Sequence, residues 1–126
     1  MSKLVLLAAV LVVSVFVSGA AEVQAQGSNA ITFRVKSLHP NIVDLEFYSQ
    51  SRRGHVWPGG GQVYTLRDSQ SHHHDLACNA GEKVCYGAWV RGGGNTYWGA
   101  GRGGRQACTN CCRTCGSGAH DITLNP

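Results

Sequence analysis

Six cysteines, all in the C-terminal half of a 126-residue chain, constrain its fold more than any other feature: Cys78, Cys85, Cys108, Cys111, Cys112 and Cys115. An even count in a small exported chain reads as three disulfides, for which fifteen connectivities exist. Each bridge adds about 2–4 kcal/mol, chiefly by restricting the unfolded chain. A domain this small has a total stability of about 5–10 kcal/mol, so the bridges are a large share. The run Cys108-Thr109-Asn110-Cys111-Cys112-Arg113-Thr114-Cys115 also holds two C-x-x-C units, the spacing of a zinc knuckle. Zinc ribbons, however, separate their two pairs by about a dozen residues or more, so that four sulfurs converge on the ion. Here the second pair starts directly after the first. Neighbouring Cys111 and Cys112 point to different sides of an extended segment, which suits two separate bridges, and a vicinal bridge between them would be strained. The expected arrangement ties Cys78 and Cys85 to the cluster and leaves one bridge inside it. Thiol exchange would need an exposed thiolate of low pKa, typically at a helix N-terminus, and no helix is predicted.

The N-terminus supplies the oxidising compartment that such bridges require. Lys3 precedes an uncharged apolar run from Leu4 to Val17, and Val23-Gln24-Ala25 has the small-x-small pattern of a cleavage site. Residues 1–25 are therefore read as a signal peptide and 26–126 as one secreted β domain, secreted or periplasmic, touching a membrane only before cleavage. A retained anchor takes roughly 20 apolar residues, and Ser14, Ser18 and Gly19 interrupt this run. From Gln26 onward, ten lysines and arginines face six carboxylates, spread along the chain. That balance lacks the clustered basic stripe of a nucleic-acid binder, so no nucleic-acid partner is expected.

Two-residue alternation dominates the mature chain. Ile31 to Lys36 and Val43 to Tyr48 alternate apolar with polar, and the Leu38-His39-Pro40-Asn41 turn between them suggests an antiparallel pair. Gln62 to Leu66, Val84 to Val90, Thr96 to Trp98 and Asp121 to Leu124 read as further strands. His55 to Gly61, with Pro58 and three glycines, reads as a loop anchored by Trp57. No apolar periodicity survives between Gly99 and Gly118, so bridges must supply the order there. Short strands with glycine-rich turns predict an all-β fold: a small antiparallel β-sandwich or barrel with a disulfide-stapled Gly/Cys-rich C-terminal lobe.

Two constellations carry candidate chemistry. His72-His73-His74 precedes Asp75, and on a strand His72 and His74 would share a face. Joined by His55, they form a candidate copper or zinc site, against which stands the plain reading of a solvated strand edge. The second constellation is aromatic. Trp89, inside the strand from Val84 to Val90, is assigned to the core. Trp57 and Trp98 border glycine-rich loops, and with Tyr97 and Arg91 they form a candidate ligand-binding set. An indole face packs against the C–H groups of a sugar ring while nearby polar groups bind its hydroxyls. The segments around Arg91, Arg102 and Arg105 resemble fragments of RGG tracts but are read as charged turns. Asp44 and Glu46 lie on one face of a strand, the other carboxylates are scattered, and G-x-S-x-G is absent, which points away from an enzyme.

Three segments taken together resemble a group of small secreted cysteine-rich bacterial proteins without an assigned function. They are Phe47 to Arg53 with His55 to Gly60, Gly81 to Trp89, and Tyr97 to Gly101 with the cysteine cluster. The likeness spans nearly all of the mature chain and implies an exported, stapled domain, without site residues. A second similarity, to the opening of thaumatin-like β-sandwich proteins, implies a sandwich and no activity, because this chain is shorter and lacks that family's larger disulfide set. The reading is an exported, non-catalytic binding module of the envelope or extracellular space that meets a glycan or a protein, without a cofactor. A periplasmic metal-binding protein built on His72 and His74 is the second reading, and a small hydrolase or hydrolase inhibitor the third.

Overall fold

The computed structural model describes residues 28–126, so the signal peptide assigned to 1–25 lies outside the described residues. Nine strands follow in order: β1 (Ala30–Ser37), β2 (Val43–Ser49), β3 (Val56–Trp57), β4 (Tyr64–Leu66), β5 (Ser71–Ala77), β6 (Lys83–Val90), β7 (Tyr97–Gly99), β8 (Cys112–Thr114) and β9 (Ala119–Leu124). They form two sheets, one of three strands ordered β5-β1-β9 and one of six built on β3-β2-β6-β7. In the larger sheet β4 also pairs with β2, and β8 with β6. The fold is all-β as expected, with a single 3-10 turn at Arg102–Gly104 among the described residues.

Alternation decides which side chains meet. Ile31, Phe33 and Val35 of β1 and Val43, Leu45 and Phe47 of β2 are all essentially inaccessible to water and share one core cluster. Phe33 and Phe47 stack with centroids 4.7 Å apart. Burying side chains of this size contributes about 1.5–3 kcal/mol each.

Here one expectation is overturned. β1 and β2 are not an antiparallel pair: they belong to different sheets and face each other across the core. β1 pairs antiparallel with β5 and parallel with β9, while β2 pairs with β3, β4 and β6. The β1–β9 register is the one parallel pairing in an otherwise antiparallel sandwich among the described residues. A short connection with alternating strands on either side serves a hairpin or a crossing between layers equally well, and period two fixes only the face. The segment from His55 to Gly61 also differs in part, since Val56 and Trp57 pair with Tyr48 and Phe47 before the chain turns. His72 to Ala77, not counted among the strands expected from the sequence, belongs to β5, an edge of the smaller sheet.

Three disulfides hold the C-terminal region: Cys78–Cys115, Cys85–Cys112 and Cys108–Cys111. Two tie Cys78 and Cys85 to the cluster and one lies inside it, as expected. Cys78 and Cys115 belong to the main core, whereas Cys85 and Cys111 belong to a second cluster with Tyr48 and Ala100. That second cluster lies on the other face of the six-stranded sheet, because Tyr48 and Cys85 are register partners of opposite parity to Phe47 and Val84. The chain from Ala100 to Cys111 thus folds over the outer face of β2 and β6. The Tyr48 phenol donates to the Gly101 carbonyl (3.1 Å), and its burial pushes its pKa up to about 12. Gly87 makes this approach possible: a β-carbon there would collide with the Gly101 carbonyl oxygen and lie 2.8 Å from the Tyr48 ring.

A buried carboxylate locks the start of β6. Glu82, almost fully buried, accepts two bonds from Arg52 (2.6 and 2.8 Å), one from the Asn79 amide (2.9 Å) and one from the Ser49 hydroxyl. The Arg52 guanidinium beside it, against the opposing effect of burial, holds its carboxyl down to about 2.

Candidate functional site

The outer face of the larger sheet is covered by the C-terminal lobe at one end and left open at the other. Register sets what the open end shows. Asp44 pairs with Trp89, Trp89 with Tyr97, and Asp44 with Thr65, so these four side chains lie on the outer face. Glu46 follows two residues after Asp44, opposite Gly87. The β6–β7 turn, Arg91 to Asn95, rises on one side and the segment from Arg102 to Gln106 on the other. Between them runs a groove of about 940 Å³. Glu46, Trp89, Tyr97, Arg102, Arg105 and Gln106 line it.

Charge in this groove is partly committed. Arg91 donates from Nε and one terminal nitrogen to the two oxygens of Asp44, at 3.1 and 2.8 Å, and from the same terminal nitrogen to Thr65 at 2.9 Å. Asp44 itself is buried, at 7% exposure, so this pair removes a carboxylate that would otherwise be stranded. Glu46 has no such partner within the described ion pairs. Burial raises its carboxyl above the usual range, the neighbouring Asp44 adds to this, and Arg102 opposes it. Arg102 lies over the Trp89 ring, 5.9 Å from its centroid. Neither Arg102 nor Arg105 pairs with a carboxylate among the described residues.

A second depression, about 510 Å³, lies beside the first, between His55 and Gln62. Glu46 borders both. On this side β2 is paired by β4 up to Leu45 and by β3 from Phe47, so Glu46 sits where neither strand covers its edge.

The structure divides the residues singled out in the sequence. Tyr97 and Arg91 line the groove. Trp57 and Trp98 do not. Trp57 is 8% exposed, belongs to the core, and donates its indole N–H to the Ala77 carbonyl at 2.9 Å, linking the two sheets. Trp98 pairs with Ala88 on the core-facing side and donates to the Asn125 carbonyl at 2.7 Å. Trp89, assigned to the core, is half-buried on the outer face instead, because its parity is opposite to that of Val84, Ala88 and Val90.

The histidines are also dispersed. His72 pairs with Asp68 at 2.6 Å, His74 packs against Phe47 and Tyr64, and His55 packs edge-on against Trp57. Among the described residues, the only set of three metal-ligating atoms brought together is Cys85, Cys111 and Cys112, whose sulfurs are bridged. His72, His74 and His55 therefore do not share a copper or zinc site in this arrangement. Four contributors escaped the sequence reading as site residues: Glu46, Trp89, Arg102 and Arg105. Parity along β2 and β6 would have found the first two. The arginines needed the lobe's path, which no local pattern encodes.

No family model matches this chain, and neither a curated protein nor a solved structure matches it. The three disulfides fit an oxidising environment outside the cytoplasm.

Proposed function

We propose that the protein is a secreted or periplasmic, non-catalytic binding module whose outer-face groove takes a glycan. The observation that carries this reading is the cross-strand pair Trp89 and Tyr97, lining a groove that also carries hydrogen-bonding side chains of both signs. Aromatic faces pack on the C–H face of a sugar, and arginine, glutamine and carboxylate side chains satisfy its hydroxyls in directed bonds. A protein partner is less well matched. Stable protein interfaces bury about 800 Å² on each partner around a packed anchor cluster, whereas Leu38 and Tyr97 are the only large apolar side chains exposed among the described residues. Nor does the groove offer an obvious reacting pair, since one of its two carboxylates, Asp44, is engaged by Arg91.

The test is retention on an array of immobilised glycans, comparing the protein with Tyr97→Ala. Tyr97 is 46% exposed, so its truncation should change stability by no more than about 0.5 kcal/mol, while glycan retention falls at least tenfold. Retention that survives Tyr97→Ala and Trp89→Ala alike would remove the groove from the reading.

A further inference from the structure

We infer that the groove's ligand is a linear acidic glycan, one that carries carboxylate or sulfate groups along its chain, and not a neutral sugar or a single residue. This rests on the glycan reading and narrows it. Two observations carry it.

The first is the state of the cations. Of the three arginines at the groove, Arg91 is neutralised by Asp44 through a two-pronged contact. Arg102 and Arg105 keep their charge without a carboxylate partner among the described residues, and they stand on the same wall. The guanidinium group presents planar paired donors that match a carboxylate or sulfate. Arg102 is held in place over the Trp89 ring (5.9 Å), which restricts its freedom before any ligand arrives. Both arginines are exposed, and a neutral sugar would leave them without an anionic partner. An acidic sugar stacked near Tyr97 brings the countercharge with it.

The second is the shape. The groove and the depression bounded by Gly59, Gly60 and Gln62 share Glu46 on their borders, so a chain laid past Glu46 would reach both. Glu46 borders both parts, at the point where the β3 and β4 pairings leave the edge of β2 uncovered. A single sugar would fill only part of such a trough, whereas a chain lies along it. Glu46 then sits between the arginine wall and the glycine loop, where an anionic group is disfavoured and a hydroxyl can donate to the carboxylate. The trough thus favours a chain whose charged groups recur at intervals and alternate with hydroxyl-bearing positions.

The experiment titrates the mature protein, with disulfides intact, against uronic-acid oligosaccharides of increasing length and against the same oligosaccharides fully methyl-esterified. Calorimetry and tryptophan fluorescence are the readouts. Affinity for the acidic series should rise at least tenfold from the disaccharide to a plateau. Esterification should weaken it tenfold or more, and raising salt from about 50 to 200 mM should weaken it several-fold, as for other interactions carried by exposed charges. Arg102→Gln and Arg105→Gln should each lose about fivefold or more for the acidic series while their unfolding midpoints stay unchanged. Equal binding of esterified and acidic chains, or indifference to both arginine variants, overturns the acidic assignment and leaves the glycan reading standing. Binding that reaches its full strength at a single sugar overturns the linear one. Failure of every saccharide, neutral or acidic, refutes the glycan reading itself, and equal affinity for poly-glutamate replaces it with an acidic peptide.

Discussion

His74 should make this fold sensitive to mild acid in a way one substitution abolishes. On β5 its ring points inward with Leu76, against Phe47 and Tyr64, with centroids 5.7 and 4.6 Å away. Its Nε2 is buried without a hydrogen-bond partner. Burial holds its pKa down at about 4 against an ordinary 6.5, and the nearby His72 and His73 push the same way while Asp75 opposes. The unfolded chain therefore binds a proton between pH 6.5 and 4 that the folded chain refuses, so stability falls as pH falls through that window and levels off below it. The full shift would be worth about 3 kcal/mol at 1.36 kcal/mol per unit. The ring keeps some contact with solvent, which screens part of this, so about 1–2 kcal/mol is expected. Urea unfolding of the protein and of His74→Phe, at about pH 7 and pH 4.5, isolates the effect because every other titration is common to both. The protein should lose about 1–2 kcal/mol more than the variant over that interval. Parallel losses would refute the reasoning, and so would a steeper loss in the variant.

Three further perturbations test the frame around the groove. Glu82→Gln leaves Arg52 without its countercharge and should cost about 2–3 kcal/mol in denaturant unfolding, below the cost of a fully buried pair because Arg52 is 37% exposed. The Glu82 carboxylate's own contribution is complete above about pH 4.5 and is lost as pH falls toward 2, so the variant should lack that acid dependence. Gly87→Ala drives a methyl group into Gly101 and the Tyr48 ring, and should cost about 1–3 kcal/mol while loosening the lobe, read as faster hydrogen exchange from Ala100 to Gln106. Under graded reduction with alkylation, Cys108 and Cys111 should be labelled first. Their bridge closes the shortest loop, contributing about 2 kcal/mol against roughly 4 for Cys78–Cys115, and Cys108 is exposed; prior labelling of Cys78 would contradict this.

Faces were legible in the sequence, and partners were not. Alternation in β1 and β2 gave the right face for Ile31, Phe33, Val35, Val43, Leu45 and Phe47, yet assigned the two strands to each other, since a side chain's parity says nothing about which strand lies beside it. Trp57 shows the second limit. Beside Pro58 and three glycines it read as a loop residue, but two residues of pairing with β2 suffice to turn its indole into the core. Trp89 shows the third: in a strand apolar on both faces, composition suggests burial while parity places the side chain opposite Val84, Ala88 and Val90. The histidine run read as a candidate metal site because alternate strand residues put His72 and His74 on one face, with His55 to join them. A strand separates neighbouring side chains onto two faces, and Asp68 engages His72 while the aromatic core takes His74.

The glycine- and cysteine-rich tail, the least patterned stretch of the sequence, does the most to create the groove. An outer sheet face such as that of β2 and β6 is ordinarily open to water along its length. Here Gly87 lets the Ala100–Cys111 segment lie directly on it, and at Gly104 a β-carbon would come 3.2 Å from the Tyr48 ring, so glycine lets the backbone pass there. Cys85–Cys112 anchors the end of the segment to β6, and Cys108–Cys111 tightens the loop next to the anchor. A wall built so largely of backbone has few side chains to offer, and those at the groove are Arg102, Arg105 and Gln106. The same residues that read as charged, flexible turns are thus the polar side of a site whose aromatic side comes from the sheet. The division of labour follows from the chemistry of each part: the strands fix Trp89 and Tyr97 by register, and the bridges fix the arginines where no register exists.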